Sequence, residues 1–147
     1  MMEKENKMGL ASIMSTRVVS VHMDDSLESL RELFIATGFH HLVVVYKDRL
    51  EGIISDRDLF KAISPFVDTL GERPRDRATL EKRAHQIMTR EVITLTPKDS
   101  IVKAITLFNE HKISCIPIID ERRCPVGMVS WRDIMWFMQH RVEARKS

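Results

Sequence analysis

The sequence predicts an α/β protein made of two copies of a β-α-β-β-α unit. Three observations carry that expectation. The chain repeats itself at an offset of 74, each copy alternates β-branched runs with helical stripes, and one phrase closes the pattern twice. That phrase is GIISDRDLF from Gly52 and GMVSWRDIM from Gly127. With 147 residues, 44% of them apolar and 30% charged, the chain is long enough to bury a core and has a globular composition.

The repeat emerges when IMSTRVVSVHMDDSLESLRELF is laid on IMTREVITLTPKDSIVKAITLF. Ile13-Met14 falls on Ile87-Met88, Val18 on Val92, Asp25-Ser26 on Asp99-Ser100, and Leu33-Phe34 on Leu107-Phe108. One extra residue within DERRCPV of the second copy moves the offset to 75 and brings the two closing phrases into register.

Each copy reads the same way along the chain. A short helical turn ending in Ile-Met leads into a β-branched strand, VVSV or VITL. Asp25/Ser26 and Asp99/Ser100 then supply a natural helix N-cap. From Ser26 to about Thr37, Leu27, Leu30, Leu33 and Phe34 fall at helical spacing and read as core; Ile101, Ala104, Ile105, Leu107 and Phe108 do the same in the second copy. Two apolar strands follow, HLVVVY with LEGIIS and CIPIID with PVGMVS, split by the polar turns KDR and ERRC, so each pair reads as a hairpin. A second helix, DRDLFKAI or WRDIMWFMQHRV, closes the copy.

The expected division is a charged tail over 1–9, a first repeat over 10–64, a charged insertion over 65–83, a second repeat over 84–141 and a tail over 142–147. The connecting stretch SPFVDTLGERPRDRATLEKRAHQ is longer than the usual connection of about 4–6 residues. It is expected to be exposed, with solvated charges and a helical second half capped at Thr79.

Bulk properties exclude several function classes. A net charge of +2 lacks the footprint of a dedicated nucleic-acid binder. The opening MMEKENKMGL is charged, and no apolar run approaches the roughly 20 residues of a membrane span, so a cytoplasmic protein without a membrane partner is expected. Cys115 and Cys124 are the only cysteines and form no CxxC pair; both are expected as reduced thiols, Cys115 in a strand. His40 and His41 are strand neighbours pointing to opposite faces without a third ligand, and no metal is expected.

The doubled phrase has two readings. Ser55/Asp58 and Ser130/Asp133 fit a capping box, in which the serine accepts a backbone N–H three residues on and the carboxylate bonds back. That leaves Gly52, Gly127, Arg57 and Arg132 unexplained. A strand running into a helix N-terminus, with glycine allowing close backbone approach, suits a phosphorylated ligand, while the aspartate suits the two hydroxyls of a ribose. The phrase therefore points to a nucleoside whose phosphates reach toward Arg and His.

From about Leu10 to Arg141 the chain resembles a tandem pair of CBS domains, the cystathionine-β-synthase-type repeat, in a stand-alone bacterial-type Bateman module. The resemblance rests on Ile13-Met14 and Ile87-Met88, HHLVVV and SCIPIID, and the doubled GxxSxxD, in the same order twice. It implies two β-α-β-β-α repeats packed through their sheets about a pseudo-twofold axis, leaving two clefts for adenosine-containing ligands. Asp58 and Asp133 would hold ribose diols, with Ser55 and Ser130 near ribose or phosphate. Asp133 would work with Ser20, Phe39, His40 and Met128, and Asp58 with Thr94, Ile113, Ser114 and Ile53. His40, His41, Arg57 and Arg132 would face phosphates, with Arg17 and Arg90 adding charge.

That basic supply favours AMP, ADP or ATP over S-adenosylmethionine, with NAD left open. Val43, where the family often has proline as at Pro117, and Tyr46, opposite Asp120, set the first copy apart, so ligand is expected first at GMVSWRD. No nucleophile elbow, metal cluster or isolated acidic pair assembles, so no enzyme activity and no required cofactor are expected. Trp131, Ile134, Met135, Phe137 and Met138 spread over more than one helix face, and a homodimer through the helices after Ser55 and Ser130 is expected. The function expected is a regulatory sensor that signals to an unknown effector protein by conformational change. The alternative is a scaffold without ligand, its SxxD motifs acting only as helix caps.

Overall fold

In a computed structural model, residues 9–146 are described; Met1–Met8 of the expected N-terminal tail, and Ser147, lie outside the described residues. The chain divides into two compact units, and neither is a sequence repeat. One runs from Val19 to Val92; the other joins the residues up to Val18 to those from Ile93 onward.

The 19–92 unit contains β1 (Ser20–His22), α1 (Leu27–Thr37), β2 (His41–Tyr46), β3 (Arg49–Ser55), α2 (Asp56–Ala62) and the short helices α3 (Pro74–Arg77) and α4 (Ala84–Ile87). β1 lies parallel to β2, and β2 antiparallel to β3. The Ser26 hydroxyl accepts the Ser29 N–H, and Gly38 ends α1 in the left-handed region at φ 69°. Lys47 and Asp48 turn the hairpin with φ of 48° and 66°, the mirror-image geometry that matches strand twist. Val21, Leu27, Leu30, Phe34, Leu42, Val44, Ile54 and Leu59 form the core with Ala84 and Met88, which the second sequence repeat supplies.

The insertion folds onto this unit. Thr79 is not its helix cap: the Arg73 N–H bonded to Asp76 caps α3, with Pro74 in its first turn, because proline at a helix start needs no N–H acceptor. Thr79 sits in a following 3-10 turn and closes the loop base, accepting the Ser64 N–H and donating to the Asp76 carbonyl. The Ser64 hydroxyl donates to buried Asp76 at 2.7 Å, holding that carboxyl below its usual range. The loop's charges are paired as well as solvated, since Asp68 bonds both Arg31 and Arg77.

The other unit contains a 3-10 turn (Leu10–Ser12), α5 (Ile101–Glu110), β4 (Cys115–Ile119), β5 (Pro125–Ser130) and α6 (Trp131–Lys146). α6 runs through most of the expected C-terminal tail. Leu10, Leu95, Ile101, Ala104, Phe108, Ile116, Ile118, Val129 and Ile134 form its core. Here VITL does not form the expected strand; Leu95 makes an isolated parallel bridge to Ile118. The cause is Pro117. Its counterpart Val43 donates its N–H to the Val19 carbonyl at 3.1 Å, a bond that proline has no N–H to make.

The first segment of each repeat thus belongs to the unit of the other. Leu10 donates its N–H to the Asp99 carbonyl and Ala84 donates to the Asp25 carbonyl, each at 2.9 Å. The two bonds are equivalent under the offset of 74, so the exchange is reciprocal.

Candidate functional site

The two GxxSxxD phrases occupy equivalent junctions, β3 into α2 and β5 into α6. Ser55 lies in extended geometry at the helix N-cap, its hydroxyl accepting the Asp58 N–H at 3.1 Å. Asp58 Oδ2 accepts the Ser55 N–H at 2.8 Å. At the second junction Asp133 Oδ2 accepts the Ser130 N–H at 2.7 Å and the Ser130 hydroxyl at 3.1 Å. Both capping boxes are therefore formed. Each uses one carboxylate oxygen, and the Oδ1 atoms of Asp58 and Asp133 have no hydrogen-bond partner among the described residues. Both side chains are half-buried, as a group that meets a ligand must be.

The 19–92 unit brings Asp58, Ser55, Ile53 and Arg57 together with His40 and His41, since β2 pairs His41 with Ser55. Exposed His40 places Nδ1 2.8 Å from Asp56 Oδ2, while its carbonyl accepts the Asp56 N–H. Burial holds the His41 imidazole below its ordinary value; Asp56 and Asp58 oppose that shift, and His40 reinforces it. Ser20 is exposed on β1 and Phe39 half-buried ahead of β2.

The other unit holds Asp133, Ser130, Met128 and Arg132 with Ile113, Ser114 and Thr94. The Ile113 carbonyl accepts the Trp131 indole N–H at 3.3 Å, and the Trp131 ring packs on Phe108 with centroids 5.1 Å apart. Ser20, Phe39 and His40, expected to serve Asp133, belong to the unit of Asp58, while Thr94, Ile113 and Ser114, expected to serve Asp58, belong to the unit of Asp133. Arg57 and Arg132 are exposed. Cys115, paired with Ser130 across β4 and β5, is a free thiol pushed up to about 12 by burial and by the Asp133 charge. Among the described residues no group of three or more His, Cys, Asp or Glu suits a metal ion, and no helix is long and apolar enough to cross a membrane.

Sequence reasoning gave the motif glycines to a ligand's close approach; the structure gives that space to methionine. A Cβ on Gly52 would stand 2.7 Å from the Met88 Sδ, and one on Gly127 2.6 Å from the Met14 Sδ. Asp56 as the partner of His40 was also missed. The signal for the methionines was present, because Met14 and Met88 recur at the repeat offset just as the glycines do.

Family-model comparison matches the CBS domain at residues 10–65 and again at 84–140. The chain belongs to the CBS-domain family. Its CBS pair is similar to part of the homoserine O-acetyltransferase of Methanosalsum zhilinae, at 32% identity over 88% of this chain and 24% of that protein. The chain spans about a quarter of the length of the acetyltransferases it matches. A CBS domain-containing protein of Dictyostelium discoideum is 29% identical over 88% of this chain and 90% of its own length. Among solved structures, the CBS domain pair of protein MJ0100, in complex with 5′-methylthioadenosine and S-adenosylmethionine, has a TM-score of 0.75 and 25% identity, covering 90% of this chain and 97% of that one.

Proposed function

We propose that the chain is a cytoplasmic sensor module that binds adenosine-containing ligands at Asp58 and Asp133 and transmits occupancy to an effector protein by changing shape. The observation that carries this reading is the unspent Oδ1 of each aspartate. A capping box consumes one carboxylate oxygen, and the other is available to a ribose diol at both copies of the motif. The adenosine ligands of the MJ0100 pair support the class. Ser55 and Ser130 lie beside the ribose in this reading. Ile53 accompanies Asp58 in this reading, and Met128 accompanies Asp133. Exposed Arg57 and Arg132, with His41, favour the phosphates of AMP, ADP or ATP. Such a ligand acts as a signal only by binding two conformations unequally.

One observation favours a second reading of the ligand at Asp58. α2 begins with two carboxylates, Asp56 and Asp58, where α6 has Trp131 and Asp133. Paired negative charge opposes a phosphate and tolerates a thioether or sulfonium substituent.

Calorimetric titration with AMP, ADP, ATP, 5′-methylthioadenosine and S-adenosylmethionine tests the proposal. Asp58→Asn and Asp133→Asn keep an acceptor for the serine N–H but weaken the grip on a diol. Each substitution is expected to lower affinity at its site about tenfold, with helix stability held. No heat from any of the five overturns the sensor and leaves the ligand-free scaffold.

We also propose a homodimer through α2 and α6, on which Phe60, Trp131, Met135, Trp136, Met138 and Val142 are exposed. Sedimentation velocity is expected to show a dimer that Met135→Lys dissociates.

A further inference from the structure

The first helical residue of each motif holds the residue that precedes the hairpin. Asp56 donates its N–H to the His40 carbonyl at 3.0 Å, and Trp131 donates its N–H to the Ser114 carbonyl at 3.3 Å. The backbone geometry is thus shared by the two junctions, but the charge is not. In the unit of Asp58, His40 Nδ1 also lies 2.8 Å from Asp56 Oδ2, and β2 pairs His41 with Ser55, the serine bonded to Asp58. In the unit of Asp133 the corresponding positions are Ser114, Cys115 and Trp131, and β4 pairs Cys115 with Ser130. Each of these positions that titrates or carries charge in the first copy is neutral in the second, since burial and the Asp133 charge push the Cys115 thiol up to about 12.

Arg57 and Arg132, both exposed, hold the same place in the two motifs, so their charge does not distinguish them. With His40 neutral, Asp56, Arg57 and Asp58 leave one net negative charge at the start of α2, whereas Arg132 and Asp133 leave none at the start of α6. Asp56 supplies that difference, and His40 governs it. The side chain of His40 is 71% exposed and exchanges protons with solvent directly. A neutral imidazole leaves the Asp56 charge in place, whereas a protonated one at 2.8 Å cancels it and makes the two junctions alike. His41 does not follow it, because burial disfavours its charged form, although Asp56 and Asp58 pull the other way. A unit charge roughly 12 Å from a phosphate shifts affinity about tenfold at an effective dielectric of about 20.

We propose that Asp56 and His40 are specificity-determining residues: they make the Asp58 motif select its adenosine ligand by charge, refusing a phosphate while the imidazole is neutral and admitting one once it is protonated. The Asp133 motif keeps a single preference. This rests on the ligand reading above, and the test separates the two. AMP and 5′-methylthioadenosine, which differ at the 5′ substituent, are titrated calorimetrically at about pH 7.5 and at about pH 5.5, on either side of the ordinary imidazole value. An Asp133→Asn background reports the Asp58 site, and an Asp58→Asn background the Asp133 site. On acidification the affinity for AMP relative to 5′-methylthioadenosine is expected to rise about tenfold at the Asp58 site and not at the Asp133 site. The phosphate loses part of its own charge over this range, equally at both sites, so the comparison between sites removes that effect. His40→Gln is expected to abolish the rise. Asp56→Asn, which keeps an acceptor for His40, is expected to raise the ratio about tenfold already at about pH 7.5. A ratio that fails to rise on acidification, rises as much at the Asp133 site, still rises in His40→Gln or is unchanged in Asp56→Asn overturns the selector and spares the ligand reading. No heat from either ligand at either pH in the Asp133→Asn background overturns the ligand reading at Asp58, and the selector with it.

Discussion

Asp58 and Asp133 each spend one carboxylate oxygen on the helix cap and keep the other for the proposed ligand, which is why the capping and ligand readings coexist at one residue. His41, whose imidazole feels the Asp56 and Asp58 charges, gives the first copy a pH dependence of its own. Burial keeps its folded-state value below the ordinary 6.5. The unfolded chain therefore takes up the proton first, and the contribution of neutral His41 to stability, complete above that value, is lost as pH falls through the lowered one. Thermal unfolding from pH 7 to 5 is expected to show a fall in midpoint that is shallower in His41→Gln. The capping pairs of the two motifs were legible in the sequence because a serine and an aspartate at fixed spacing carry their chemistry with them. Asp56 was not, since its bond to His40 depends on β2 bringing residue 40 beside the start of α2.

At the scale of elements, local chemistry was the reliable guide. Ser26 and Ser100 cap α1 and α5 through the same bond, to the N–H of Ser29 and of Lys103. Ser26→Ala and Ser100→Ala are each expected to cost about 1 kcal/mol in denaturant unfolding. The hairpin strands followed from their apolar runs, because both pairs are closed by turns of only a few residues. VITL was misread because β-branched composition supplies propensity but no partner, and Pro117 removes the donor on which a full ladder depends. Thr79 was misread for a related reason. A threonine ahead of a helical pattern resembles a cap, yet its hydroxyl is drawn to Ser64 and Asp76 at the base of the loop.

At the scale of the molecule, the duplication was plain from residue identities alone, and with it the α/β class. The composition of the two units was not, because a repeat search reports which segments are alike and not which of them pack together. Leu10 and Ala84, both fully buried, complete cores whose other members, Met88 apart, lie in the opposite repeat. Sequence order and structural membership therefore differ, with a practical effect on cleavage. Leu70, fully exposed in the insertion, is a natural point of limited proteolysis. A cut there leaves an N-terminal fragment that keeps Leu10 and Met14 in the other unit's core and a C-terminal fragment that keeps Ala84 and Met88 in this one. The two pieces are linked as hands are when each grips the other's wrist. Native gel filtration after the nick is expected to return one undivided species, and only unfolding should part the halves.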